Sequence, residues 1–178
     1  MNKIVFAVNG MKKCVRLRAM EPEDLDLLYR IENDPEVWHV SATNVPYSRY
    51  ALHDYMARTT GDIFVDHQVR LMIENEEGIV VGIVDLVDFD AKHSRAELGL
   101  IIERPFQRQG YATLVLQQVA HYARTVLRLH QIYACISINN EASLALFRKL
   151  QFAESAVMKD WLFDGHTFVD AVLMQKIL

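Results

Sequence analysis

A chain of 178 residues, 51% hydrophobic and 24% charged, has the composition of one globular domain with a real core and excludes a disordered or low-complexity protein. Its net charge of -4 excludes the strongly basic face of a general nucleic-acid binder. The two cysteines, Cys14 and Cys135, exclude a disulfide framework and a zinc-type spacing.

In chain order, the opening "MNKIVFAVNG" carries one lysine and a short apolar stretch, too brief for the core of a signal peptide and cut off by Asn9-Gly10. No stretch approaches the length needed to span a bilayer, so the expectation is a cytoplasmic protein with no membrane partner. "VRLRAM" (15–20) reads as a strand. "EPEDLDLLYRIEND" (21–34) reads as a helix with Pro22 at its start and acids in its first turn. Leu25, Leu28, Tyr29 and Glu32 share one face of it. A second helix is read at "SRYALHDYMAR" (48–58). Residues 68–102 then look like three consecutive strands, turned by "NEEG" and by "DFDAKHS". The helix "GYATLVLQQVAHYARTVL" (110–127) sets Ala112, Val115, Leu116, Val119, Tyr122, Ala123 and Val126 on one stripe that should pack on a sheet. A strand "QIYACISI" follows, with Cys135 as a small buried hydrophobe, then a short helix "NEASLALFRKL". A hairpin, "FAESAVMKDWLF" and "TFVDAVLMQKI", closes through Asp164-Gly165. Antiparallel strands followed by strand–helix–strand make a mixed α/β sheet with flanking helices.

The stretch "ERPFQRQGYATL" (103–114) joins a strand to the long helix. The start of a helix offers unpaired backbone N–H groups and partial positive charge, which together hold phosphate. Gly110 lets the backbone approach a ligand closely, and Arg104 and Arg108 add positive charge. A chain-turning glycine flanked by solvated arginines is the plainer alternative. The loop lacks the glycines of a dinucleotide fingerprint and the Gly-Lys-Ser/Thr of a P-loop, so nucleotide hydrolysis is not expected.

Gln107-Arg-Gln-Gly-Tyr-Ala112 resembles the Q/R-x-x-G-x-G/A signature of the GNAT superfamily of N-acetyltransferases, at the strand-to-helix position that family uses. "INNEASLALFRKLQF" resembles its second signature, and the order of elements from Val15 onward matches. "VDLVDFDAKHSRAELGLII" and "WLFDGHTFVDAVLM" look most like spermidine and diamine acetyltransferases, and more distantly like ribosomal-protein N-terminal acetyltransferases. The resemblance implies a mostly antiparallel central sheet with splayed middle strands and acetyl-CoA as co-substrate. It places the CoA pyrophosphate on Gln107, Arg108, Gln109, Gly110, Tyr111 and Ala112, with Thr113 adjacent. It lays the pantetheine arm along Leu100, Ile101 and Ile102, with Asn140 meeting the cofactor and Phe147 and Arg148 lining the thiol side.

Phe147 stands where the family most often has a tyrosine, and phenylalanine has no proton to give a departing thiolate; Tyr111 and Tyr133 are the alternative hydroxyls. Gln151 replaces the glycine of "KLGF", which alters a helix C-cap preference. Glu97 is the candidate general base, against a pairing with Arg95 or Arg16. Asp85 and Asp88 are read as sharing one strand face and attracting a cationic amine, or as merely solvated. The segment Val37–Tyr50 is nearly free of acids, which weighs against a polycationic substrate. Trp38 and Trp161 are expected in the core, with a cleft wall as the alternative. The seven histidines show no metal spacing, and no metal is expected. Three functions remain: acetylation of a small amine or polyamine, acetylation of a protein N-terminus, and a non-catalytic CoA-binding module. A homo-oligomer stays open.

Overall fold

The computed structural model describes residues 4–8, 11–35 and 45–178, with side chains from Lys13 onward. Eight strands form one sheet, β1 (Ile4–Val8), β2 (Met11–Arg18), β3 (Val69–Glu74), β4 (Val80–Asp90), β5 (Arg95–Ile102), β6 (Gln131–Ser137), β7 (Ala153–Phe163) and β8 (Phe168–Ile177), in the order β1-β2-β3-β4-β5-β6-β8-β7. Among the described residues all neighbouring strands are antiparallel except β5 and β6. Among the described residues the helices are α1 (Leu25–Glu32), entered through a 3-10 turn at Pro22–Asp24, α2 (Arg49–Arg58), a single turn α3 (Ile63–Asp66), α4 (Tyr111–Thr125) and α5 (Glu141–Lys149). Strand β1 and helix α3 go beyond the sequence reading.

Alternation along the strands decides what each face meets. Leu86, Leu98, Ile132 and Ala134 join α4 (Val115, Leu116, Val119) and α5 (Leu144, Phe147) in the larger core. The opposite face carries Met72 and Ile83, packed with Ile31 of α1 and with Ile101. The α4 stripe is borne out at Val115, Leu116, Val119 and Ala123. Val126, at the C-cap of α4, is an exception and is 61% exposed.

At the end of α5, Phe152 N donates to Phe147 O and Gln151 N to Arg148 O. The rings of Phe147 and Phe152 lie 4.7 Å apart. These are the two bonds and the apolar clasp of a Schellman cap, whose left-handed residue is Gln151 at φ 65. The final hairpin turns over four residues, with Asp164 N donating to Thr167 O and Gly165 at φ 95. Trp161 lies on the edge strand β7 and is 59% exposed, contrary to its expected place in the core. Trp38 lies outside the described residues. No described helix is long and apolar enough to cross a membrane.

Candidate active site

Strands β5 and β6 pair only over Arg95–Glu97 with Gln131–Tyr133. Beyond that register they part, while β5 keeps β4 as far as Ile102 and β6 keeps β8 as far as Ser137. Alternate N–H and C=O groups of Leu98–Ile102 on the β6 side therefore have no ladder partner, and two backbones line an open wedge. An extended chain carrying amides can complete such an edge by adding hydrogen bonds. Gly82 fixes the outer wall. A Cβ there would come within 2.1 Å of the Ile101 carbonyl oxygen, so only glycine lets β4 lie so close behind the strand that faces the gap.

The wide end of the wedge opens towards the loop that starts α4. A 3-10 turn at Arg104–Phe106 leads to Arg108 at φ 57 and to Gly110, the N-cap, at φ 91. Two left-handed residues one apart curl the backbone so that successive N–H groups face one side, a concavity suited to anions. Among the described residues, the N–H groups of Arg108 through Thr113 meet no acceptor. The loop is tied down by its own glutamines, Gln107 Nε2 donating to Ile102 O (2.9 Å) and Gln109 Nε2 to Pro105 O (2.7 Å). Tyr111 is buried, edge-on to Phe106, with its hydroxyl 3.4 Å from Glu76. That commitment to the β3–β4 turn places it away from Glu97. These residues suit a diphosphate: donors without acceptors at a helix start, on a loop held by side chains rather than by those donors.

The narrow end holds Glu97, on the α1 side of the sheet with Ile101. Arg95 turns to Asp90 and Arg16 to Glu74, so neither expected cation pairs with Glu97, and it has no cationic partner among the described residues. Its Oε1 accepts from Cys135 N at 3.4 Å. Burial lifts its pKa above the ordinary carboxylate value, the Cys135 hydrogen bonds offset part of that, and the Asp88 charge adds to the rise. Tyr133 is in register with Glu97 across the strands and its pKa is raised, by burial first and then by Glu97. Cys135 is half-buried against Glu97, not the inert core hydrophobe expected from its strand. Burial and the neighbouring carboxylate push its thiol up to about 12.

Asp85 and Asp88 do not form the pair expected of them. Three residues of spacing put two side chains on opposite faces of a regular strand, and a bulge between Val87 and Asp90, with Asp88 at φ 48, reshapes the strand between them. Asp85 is gripped by both ends of the Arg70 guanidinium (2.7 and 2.8 Å), which also binds Glu32. Asp88 is exposed. Gly99 lies opposite Asp85 and keeps the space beside that carboxylate clear. One guanidinium, Arg70, thus holds Asp85 and Glu32, while Glu97 has the charge of Asp88 for a neighbour.

On the other face, Phe147 is 5% exposed in the α4–α5 core. Arg148 does not share its direction, since consecutive helical residues do not face the same way; it pairs with Glu154 on the surface. Asn140 caps α5 through Oδ1 to Ser143 N (3.1 Å), which fixes it at the mouth of β6. Sequence reasoning missed Lys13, whose Nζ donates to Gln109 Oε1 at 3.0 Å and lies 4.6 Å from the Tyr111 ring centre. The available signal was its even spacing from Val15 and Leu17, both buried on the α4 side.

The acetyltransferase (GNAT) domain profile matches residues 15–153, which include both the wedge and the loop. The chain belongs to the GNAT acetyltransferase family. It is therefore an acyltransferase that uses acetyl-CoA. It is 30% identical over 153 residues to the spermidine N(1)-acetyltransferase of Escherichia coli (strain K12), covering 85% of this chain and 80% of that protein. Against the enzyme of the same name from Vibrio cholerae the identity is 24% over 165 residues, covering 92% and 93%. The crystal structure of spermidine N-acetyltransferase from Vibrio cholerae in complex with CoA and spermine superposes with a TM-score of 0.82 at 24% identity, over 92% of this chain and 95% of that one. The expected GNAT fold, with its splayed middle strands, is borne out.

Proposed function

We propose that the protein, as one acetyltransferase domain over residues 1–178, acetylates a primary amine of a small polycationic substrate of the polyamine class by direct attack on the thioester of acetyl-CoA. The observation that carries this reading is Glu97 at the narrow end of the wedge, without a cationic partner among the described residues and with Asp88 as a charged neighbour. The spermidine acetyltransferases to which the chain is similar support the same class of acceptor. The missing acids of Val37–Tyr50 are made up from the strands.

Acetyl-CoA supplies an activated acetyl group. The loop Gln107–Thr113 holds its diphosphate through backbone N–H groups, and Leu100, Ile101 and Ile102 offer their free edge to its extended arm. Because Leu98–Ile102 is fixed against β4 by Gly82, its amide groups are oriented before any substrate arrives. Glu97 and the exposed Asp88, which Arg70 does not hold, attract a cationic chain, and Glu97 accepts the proton that the amine must lose. A buried carboxylate with a raised pKa is a stronger base than an exposed one. Phe147 fills its place with a ring that cannot donate, so the hydroxyl in register with Glu97 is that of Tyr133.

An alkylammonium of the lysine type has a pKa of about 10.4 and is mostly protonated at neutral pH. Turnover is therefore expected to rise as the pH climbs towards the pKa of the amine. Free CoA release measured across a panel of polyamines, monoamines and peptides with free N-termini tests the proposal. Spermidine-like polyamines are expected to give the highest kcat/KM. Turnover confined to the peptides would replace this reading with N-terminal acetylation, and no turnover with any amine would overturn it.

A further inference from the structure

We infer that Lys13 is a phosphate-binding residue of the CoA site, delivered by a part of the chain that precedes the matched GNAT region. Residues 15–153 match the family, whereas Lys13 belongs to the hairpin β1–β2, which lengthens the sheet beyond that match. The hairpin's position on the molecule is fixed by packing. Val15 and Leu17 are buried on the α4 side, and the buried Gln118 of α4 donates to Val15 O at 2.8 Å. Two residues earlier along β2, Lys13 points to the same side and arrives at the start of that helix. Its ammonium lies 3.0 Å from Gln109 Oε1 and over the Tyr111 ring, both residues of the loop.

The chemistry there lacks its anion. An ammonium that touches only a neutral amide and a ring face has no counter-ion among the described residues. Beside it are the backbone N–H groups of residues 108–113, also without acceptors. A lysine is a mobile point charge with three donors, so it can leave Gln109 for a phosphate without the fold changing. The ligand group is a phosphate of CoA, either its diphosphate or its 3′-phosphate. This rests on the assignment of the loop to CoA, and the experiment separates the two ideas.

Calorimetric titration of the full chain with CoA and with 3′-dephospho-CoA, at low and at raised ionic strength, tests it on wild type, Lys13→Met and Lys13→Arg. Loss of one charge-assisted contact is expected to weaken CoA binding roughly tenfold or more in Lys13→Met. The variant should also show a shallower salt dependence than wild type, and Lys13→Arg should restore most of the affinity. Thermal melts should be alike, because the Gln109 contact is exposed. A loss seen with both ligands assigns the ammonium to the diphosphate; a loss seen with CoA alone assigns it to the 3′-phosphate. Unchanged affinity and unchanged salt dependence in Lys13→Met, with wild type binding normally, would overturn the inference and leave the loop assignment standing. A wild type that does not bind CoA would overturn both.

Discussion

Glu97→Gln is expected to lower kcat by roughly a hundredfold to ten-thousandfold, the usual contribution of a positioned general base, while the CoA dissociation constant stays where it was. Glutamine keeps the shape and can still accept from Cys135 N, but it cannot take a proton from the amine. The variant should also be the more heat-stable protein at neutral pH. Burial raises the Glu97 pKa in the folded state. A carboxyl raised in this way favours the fold while protonated, and that contribution is lost as the pH climbs through its folded pKa. Wild type therefore carries a destabilising charge at pH 8 that glutamine removes. Melting temperatures should diverge at pH 8 and converge below about pH 4, where an unfolded glutamate is also protonated. Full activity with unaltered melting at both pH values would remove Glu97 from the mechanism.

Gly110→Glu is expected to cost CoA affinity on the order of a hundredfold or more. The backbone there is at φ 91, which is ordinary for glycine but costs an L-residue about 1–2 kcal/mol. The new carboxylate would stand among N–H groups that await an anion, and each charge-assisted hydrogen bond lost is worth about 1.5–3 kcal/mol. The core beneath the loop is unchanged, since Tyr111, Leu114 and Val115 stay buried, so the protein should still fold with a melting temperature lowered by a few degrees. Calorimetry reads the affinity and circular dichroism the fold. Affinity equal to wild type would place the diphosphate elsewhere.

The fold was legible wherever one residue type had one physical use. Alternation along 68–102 located three strands to within a few residues, and the apolar stripe of α4 announced a helix lying on a sheet. The loop before α4 was singled out by its resemblance to the family signature, since a glycine beside two arginines can equally be a chain turn with solvated side chains. Legibility ended where a side chain's role depends on a neighbour far away in sequence. Glu97 could be paired with Arg95 or Arg16 on paper; only the tertiary structure shows both arginines taken, by Asp90 and Glu74. Asp85 looked like a free acid until Arg70, fifteen residues earlier, closed on it. Cys135 looked like core because its strand is apolar, yet its parity puts it with Tyr133 on the side of Glu97. The bulge at Val87–Asp90 has no marker in the sequence, and a period of two does not put Asp88, three residues on, on the same face as Asp85. Lys13 was out of sight because its segment lies before the recognisable signatures.

The central claim is that the wedge between β5 and β6 and the loop after it together receive CoA. Amide hydrogen exchange followed residue by residue, with and without CoA, tests it most directly, since it reads the backbone donors themselves. The account predicts slowed exchange on binding at the wedge-facing amides of Leu98–Ile102 and at Arg108–Thr113, with little change along β7. Protection confined to other elements, with Leu98–Ile102 and Arg108–Thr113 unaffected by saturating CoA, would contradict it.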